Sequence, residues 1–200
     1  MLFRSKIVAV LGDSTFMHSG ITGLLNMVYN GTYASVIILD NRTTAMTGHQ
    51  DNPASGRNIL GDAAPALDLE QLCRAIGVNR VTVVNPHDVE ATRKTLKEEI
   101  EAPEPSVIIS RAPCVLLPEE VKRKKPVYFT NLANCTGCTL CVQMGCPAIS
   151  WTPLTPEEAV ARGYREKQKG FAQIAEVQCN GCGQCACVCK FDAITRKEAK

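Results

Sequence analysis

Lys6-Ile7-Val8-Ala9-Val10-Leu11-Gly12-Asp13-Ser14-Thr15 reads as a strand that ends in a tight loop and opens a helix. Residues 6–10 show little period-2 alternation, the pattern of a strand buried on both faces of a parallel sheet. The same pattern returns at residues 35–39, 80–84 and 106–110, each rich in Val and Ile. Amphipathic stretches of helical length fill the gaps at residues 20–29, 67–76 and 89–101, with Asp68 and Asp88 placed to cap the last two. Alternating strands and helices specify an α/β fold with a parallel sheet covered on both faces. Four strands make a small sheet and the first begins almost at residue 1, so the sheet reads as incomplete, with a portion upstream missing.

Composition narrows the class. The 200 residues are 45% apolar and 21% charged, which excludes a disordered or fibrous chain. No apolar run approaches the roughly 20 residues that span a bilayer, and the five residues from Ile7 to Leu11 are too few for a signal-peptide core. These features predict a cytoplasmic chain with no membrane partner. A formal charge of +2, three histidines and 5% aromatic residues give no case for nucleic-acid binding. Eleven cysteines are the outlier, and all but Cys73 lie after residue 110, where basic residues also outnumber acidic ones. Pro113, Pro118 and the run Glu119-Glu120-Val121-Lys122-Arg123-Lys124-Lys125-Pro126 mark the division. The expected organisation is a first domain over residues 1–118, a solvated linker over 119–127 and a second domain over 128–200.

In sheets of this kind ligands sit beyond the carboxyl ends of the strands. The loop after the first strand carries Gly12, Asp13, Ser14 and Thr15 and leads to free backbone N–H groups that suit a phosphate. The loop after the second carries Asp40-Asn41-Arg42-Thr43-Thr44. One helix and one strand separate Asp13 from Asn41, which returns both to the same sheet edge. A carboxylate, an amide oxygen and a backbone carbonyl are a hard oxygen set that can hold Mg2+ while diphosphate oxygens fill its remaining positions. On spacing alone, Asp13 and Asn41 serve equally well as caps of helices and turns. Neither GxxxxGK[ST] nor GxGxxG occurs in the chain.

The second part carries the stronger chemical signal. Cys135-x2-Cys138-x2-Cys141-x4-Cys146-Pro147 is echoed 44 residues later by Cys179-x2-Cys182-x2-Cys185-x3-Cys189, and the echo extends to Ala148-Ile149 and Ala193-Ile194. This internal duplication has the form of the two-cluster bacterial ferredoxin pattern. Gly137, Gly181 and Gly183 let each loop turn tightly enough for three thiolates to wrap three corners of a cubane. The fourth cysteine of such a run ligates the other cluster. Cluster one then takes Cys135, Cys138, Cys141 and Cys189, and cluster two takes Cys179, Cys182, Cys185 and Cys146. Tetrahedral zinc is the competing reading, and it leaves the third cysteine of each triplet unused. Three features depart from the pattern: Gly145 fills an extra position before Cys146, Lys190 stands where a proline is usual, and Cys187 is an added thiol able to compete with Cys185 or Cys189. Cys73 and Cys114 have apolar neighbours and are expected to be buried structural thiols. Between the motifs, Thr155-Pro156-Glu157-Glu158 starts a short helix that runs to about Arg162.

Gly12-Asp13-Ser14 followed at this interval by Asn41 resembles the thiamine-diphosphate signature, with Ser14 in place of its last glycine. Over GDSTFMHSGITGLLNMVYN (residues 12–30) and ILDNRTTAMTGHQ (residues 38–50) the chain is similar to the alpha subunits of indolepyruvate ferredoxin oxidoreductases, and the resemblance extends along its whole length. It implies the C-terminal part of a thiamine-diphosphate-binding domain followed by a small α+β bacterial-ferredoxin-like domain with two 4Fe-4S clusters. It further implies that Asp13, Asn41 and the carbonyl of Thr43 hold Mg2+, that Gly12, Ser14 and Thr15 line the diphosphate, and that His49 is a catalytic residue on a loop near the cofactor. The implied activity is oxidative decarboxylation of indolepyruvate or another aryl 2-oxoacid to an acyl-CoA, with electrons passed through the clusters to ferredoxin. Coenzyme A, ferredoxin and a small beta subunit are the implied partners. A pyrimidine-binding domain is also implied, and no stretch of this chain resembles one. The chain therefore looks like a C-terminal portion, truncated or split, that is inactive without the rest. The alternative is a stand-alone 4Fe-4S electron-transfer module without thiamine chemistry.

Overall fold

β1 (Ile7–Gly12) and β2 (Ala34–Asp40) pair in parallel, and the segment that joins them is helical from its first residue after the strand. This is a computed structural model, and it describes residues 6–123, 126–164 and 166–197. The chain divides into two compact units, Met1–Lys122 and Arg123–Lys200. In the first unit the joining segment opens as a single turn, α1 (Asp13–Thr15), passes through a π-helical stretch at Phe16–Gly20 and continues as α2 (Ile21–Tyr29). Periodicity places a helix only at 20–29; the earlier start follows from Gly12, whose extended backbone caps the segment ahead of Asp13. Gly20 makes room for the bulge, because a Cβ there would meet Leu11 Cδ1 at 2.7 Å.

α3 (Leu69–Ile76), β3 (Arg80–Val84), α4 (Val89–Glu101) and β4 (Ser106–Arg111) complete a four-stranded parallel sheet in the order β1-β2-β4-β3. Asp68 accepts from the backbone N–H groups of Glu70 and Gln71 and Asp88 from that of Ala91, so both residues cap as their positions suggest. Phe16, Leu24, Val36, Ile38, Leu69, Cys73, Val107 and Ile109 form one buried cluster between the sheet and α2 and α3. Ile108, on the opposite face of β4, is also fully buried, and α4 packs on that part of the sheet. Glu99 of α4 ties the layers together: its carboxylate accepts from Arg80 Nε at 2.8 Å and its carbonyl from the Ser106 hydroxyl at 3.1 Å.

β1 departs from expectation. Ile7, Val8 and Val10 are 41%, 38% and 59% exposed, because β1 is an edge strand with β2 on one side only among the described residues. Within the stretch read as a linker, an exposed turn forms α5 (Pro118–Lys122), held by an ion pair between Arg57 and Glu119 at 3.0 Å. Positions 124 and 125 of that stretch lie outside the described residues.

The second unit is built from two antiparallel strand pairs. β5 (Tyr128–Thr130) leads into the first cysteine triplet and pairs with β8 (Ile194–Arg196), while β6 (Ile149–Pro153) pairs with β7 (Gly170–Ile174), which leads into the second triplet. Each strand ahead of a triplet is thus bonded to the strand that follows the other motif's fourth cysteine. Short helices α6 (Leu140–Gln143) and α8 (Gln184–Val188) follow the loops. Between β6 and β7, α7 (Pro156–Ala161) carries a complete capping box of Thr155 and Glu158, and its C-cap is Arg162. No helix among the described residues is long and apolar enough to cross a membrane.

Ile38 is fully buried at the centre of the first core, so Ile38→Ala is expected to cost roughly 2–5 kcal/mol, the range for truncating such a side chain. Urea unfolding followed by circular dichroism measures it. A cost below about 0.5 kcal/mol, the scale of surface substitutions, would contradict this packing.

Candidate functional site

The β1–β2 register sets Gly12 opposite Leu39, so Asp13 and Asp40 are the next residues on neighbouring strands at the carboxyl edge of the sheet. Both are buried, at 2% and 1% exposure. Asp13 Oδ1 accepts from the Ser14 N–H at 2.7 Å and Oδ2 from the Arg42 N–H at 3.0 Å. Arg42 has a left-handed backbone, φ 65°, which aims that N–H at Asp13. Its side chain fixes the turn, with Nη1 donating to the Ala54 carbonyl at 3.1 Å and Nε 3.4 Å from Asp40 Oδ1. Asp40 Oδ2 accepts from Arg111 Nε at 2.6 Å. Loss of solvation is the main cause that raises the Asp13 carboxyl above the ordinary carboxylate range; the charge of Asp40 adds to it, while the two N–H donors and the nearby Asn52 amide oppose it. A cation at this carboxyl would relieve that penalty.

The other oxygen donors read from the sequence gather at the same place. Asn41 Oδ1 accepts from the Thr43 N–H at 3.1 Å, and the Asn41 carbonyl accepts from the Cys114 N–H at 3.0 Å. Thr43 is buried, with its hydroxyl donating to the Gln50 carbonyl at 3.4 Å. Gly12 and Ser14 are half-buried at the helix start and Thr15 is exposed. His49 is exposed on a left-handed backbone, φ 63°, with Nε2 3.8 Å from Cys114 Sγ. Cys114 is therefore not the buried structural thiol expected of it: it is half-exposed, since the segment after β4 runs on along the edge beside Asn41. Cys73 is fully buried, which pushes its thiol up to about 11.

Three neighbours of Asp13 escape a reading of sequence. Asp40 closes β2 and looks like a strand end, and Arg111 closes β4, so only the sheet order joins them. Asn52 lies in an irregular loop without any periodic signal. It is buried, and its amide is among the groups that oppose the upward shift of the Asp13 carboxyl, while Asp40 Oδ1 makes no hydrogen bond and has Arg42 Nε as its ion-pair partner.

In the second unit, one pocket is lined by Cys135, Cys138, Cys141 and Cys189, and another by Cys146, Cys179, Cys182 and Cys185. Strand pairing sets this crossing, with Thr130 of β5 opposite Ile194 of β8 and Ile149 of β6 opposite Ile174 of β7. The turns are made by Gly137, Gly181 and Gly183 in left-handed conformations, φ 70°, 72° and 78°. Gly145, at φ 70°, turns the chain just ahead of Cys146. Burial pushes the Cys185 thiol up to about 11, with Cys182, Cys179 and Cys146 adding to the effect, and the Cys141 thiol is raised by burial and then by Cys135, Cys138 and Cys189. Four crowded thiols of this kind ionise together only with a compensating metal charge. Among the described residues, no three His, Cys, Asp or Glu side chains converge closely enough to hold one metal ion. Cys187 is exposed and lines neither cysteine pocket.

Residues 2–110 match the family described as "Thiamine pyrophosphate enzyme, C-terminal TPP binding domain". The chain is 38% identical over 195 residues to indolepyruvate oxidoreductase subunit IorA of Thermococcus kodakarensis, a match that covers 95% of this chain and 28% of that protein. It is 36% identical over 196 residues to the subunit of the same name from Archaeoglobus fulgidus, covering 96% of this chain and 29% of that protein. The chain thus spans under a third of the length of these curated relatives. Among solved structures it is similar to the 2-oxoglutarate:ferredoxin oxidoreductase from Magnetococcus marinus, at 15% identity and a TM-score of 0.48 over 52% of this chain and 39% of that one. With half of its length matched from residue 2 to residue 110, the chain belongs to the thiamine pyrophosphate enzyme family, as a C-terminal TPP-binding domain.

Proposed function

We propose that the chain is part of a thiamine-diphosphate-dependent 2-oxoacid:ferredoxin oxidoreductase that acts on indolepyruvate or a related aryl pyruvate in the cytoplasm. The observation that carries the reading is the presence, in one chain, of a TPP-binding domain and two separate pockets of four cysteines each. The donor sets suit the implied groups. Asp13, Asn41 and the carbonyl of Thr43 offer hard oxygens for Mg2+, and the crowded thiols offer soft ligands for iron.

Asp13 and Asn41 are fixed by backbone donors before any ligand arrives, so they would orient the cation with little further ordering. Gly12, Ser14 and Thr15 would place the diphosphate at the helix start. His49 Nε2 lies 3.8 Å from Cys114 Sγ beside the Asn41 loop, and His49 would be the group there able to accept or donate a proton. Bound thiamine diphosphate supplies the electron sink for decarboxylation. The clusters that the two cysteine pockets would hold would carry electrons one at a time toward ferredoxin, and coenzyme A would be the acyl acceptor. The chain spans 28% of its curated relatives, and the assignment therefore includes the pyrimidine-binding region and the small beta subunit as further partners. A stand-alone electron-transfer module would keep the cysteine pockets and lack metal-dependent cofactor binding.

Two expected outcomes test these assignments. Asp13→Ala should weaken Mg2+-dependent binding of thiamine diphosphate tenfold or more, equivalent to about 1.4 kcal/mol, while the iron content stays unchanged. Isothermal titration and iron analysis measure both, and unchanged binding would remove Asp13 from the site. Cys146→Ser should perturb the cluster of Cys179, Cys182 and Cys185, and Cys189→Ser the other. Electron paramagnetic resonance decides this against Cys138→Ser and Cys182→Ser as references. A Cys146→Ser spectrum that matched the Cys138→Ser reference would sink the crossed ligation.

A further inference from the structure

The duplication that aligns the two cysteine triplets also aligns the strands ahead of them. Thr130 lies five residues before Cys135, and Ile174 lies five residues before Cys179. Their surroundings match as well: Thr130 pairs with Ile194 at the end of one strand pair and Ile174 with Ile149 at the end of the other. Each lines the cysteine pocket of its own half. The two halves therefore present one equivalent position to two metal sites, and the position carries a hydroxyl in one half and a hydrocarbon in the other.

The Thr130 hydroxyl has no partner. Its Oγ1 is buried away from solvent and makes no hydrogen bond. A strand offers it no carbonyl of the kind that a helical threonine finds one turn back. Around the pocket, Trp151, Ala172, Phe191, Ala193 and Ile194 bring mostly apolar surface, and neither Thr136 nor Thr139, which also line it, is hydrogen-bonded to the Thr130 hydroxyl. Buried hydroxyls are rarely left in this state. Four cysteine sulfurs line the same pocket as acceptors, and one of them already receives a donor: Cys189 Sγ accepts from the Ala193 N–H at 3.4 Å.

We infer that Thr130 donates a hydrogen bond to a sulfur of the cluster held by Cys135, Cys138, Cys141 and Cys189, and that this bond raises the reduction potential of that cluster. The inference rests on the iron–sulfur reading of the cysteine pockets. Its physical basis is electrostatic. A one-electron reduction adds a negative charge that is shared with the sulfurs, so a donor fixed against them stabilises the reduced form more than the oxidised one. The hydroxyl keeps its proton throughout, and no bond is made or broken. Ile174 gives the second cluster no such donor. Thr130 is thus a tuning residue that makes two clusters of a duplicated fold unequal.

The test is potentiometric titration of the reconstituted full chain with a low-potential viologen as the electron donor, read by electron paramagnetic resonance. Cys138→Ser and Cys182→Ser mark which signal belongs to which pocket. Thr130→Val, nearly identical in shape, should move the first cluster to a more negative potential and leave the second in place. Thr130→Ser, which keeps the hydroxyl, should restore the wild-type value. Ile174→Thr should raise the second cluster alone. In heavy water, reduced wild-type protein should show an exchangeable deuteron coupled to the first cluster, and Thr130→Val should lose it. Should Thr130→Val fail to assemble its cluster, Thr130→Ala is read for the same shift and the same lost deuteron. Both clusters intact with the first potential unmoved, or equal shifts of both, would overturn the assignment of Thr130. Wild-type protein without two reducible clusters would overturn the iron–sulfur reading and this assignment with it.

Discussion

Backbone pairing between strands far apart in sequence is the constraint on which both sites depend. In the first unit, the parallel ladder from Ile7–Ala34 to Gly12–Leu39 carries Asp13 and the loop of Asn41 to one edge, 29 residues of chain separating Asp13 from the Arg42 N–H that it binds. In the second unit, β5 pairs with β8 and β6 with β7, so each triplet meets the fourth cysteine of the other motif. A one-residue slip in either ladder would turn every side chain to the opposite face and scatter the ligands. The local turns then refine what the ladders bring together, through left-handed Arg42 at one site and left-handed glycines at the other.

Charge poses the same physical problem at both sites. Asp13, the first residue after β1, and Asp40, the last of the adjacent β2, are both buried, and of the two only Asp40 is engaged by the side-chain guanidiniums of Arg42 and Arg111. Asp13 is held by backbone N–H groups that orient its oxygens, and desolvation raises its carboxyl. In the second unit the thiols of Cys141 and Cys185 are raised for the same reason, with neighbouring sulfurs adding to the effect. Groups of this sort destabilise a fold when ionised alone, and a bound cation removes that cost. Oxygen atoms crowd at one place and sulfur atoms at the other.

Much of this was legible in the sequence, for physical reasons that differ by element. β4 shows as a strand because burial on both faces leaves an unbroken apolar run, Val107 to Ile109, behind a buried Ser106. The caps at Asp68, Asp88 and Thr155 are read from local chemistry alone. The cysteine spacing carries its own geometry, since it is repeated with the glycines that permit it. β1 was misread as buried because Ile7, Val8 and Val10 have the composition of an inner strand and the sequence holds no mark of an edge. Cys114 was misread for a related reason: apolar neighbours suggest burial, yet its backbone follows the sheet edge to Asn41 and its sulfur meets His49. Asp40 and Arg111 join the site through strand order and Asn52 through an irregular loop, and no local pattern encodes either.

In the proposed function, a family domain for thiamine diphosphate shares this chain with two iron–sulfur clusters. Chemical analysis of iron, zinc and acid-labile sulfide in the anaerobically reconstituted chain, with Mössbauer spectra of the same sample, tests it most directly. The expected result is four irons and four sulfides for each of the two cysteine pockets, with the spectrum of cubane clusters. Zinc bound without sulfide, or iron enough for a single pocket only, would contradict it.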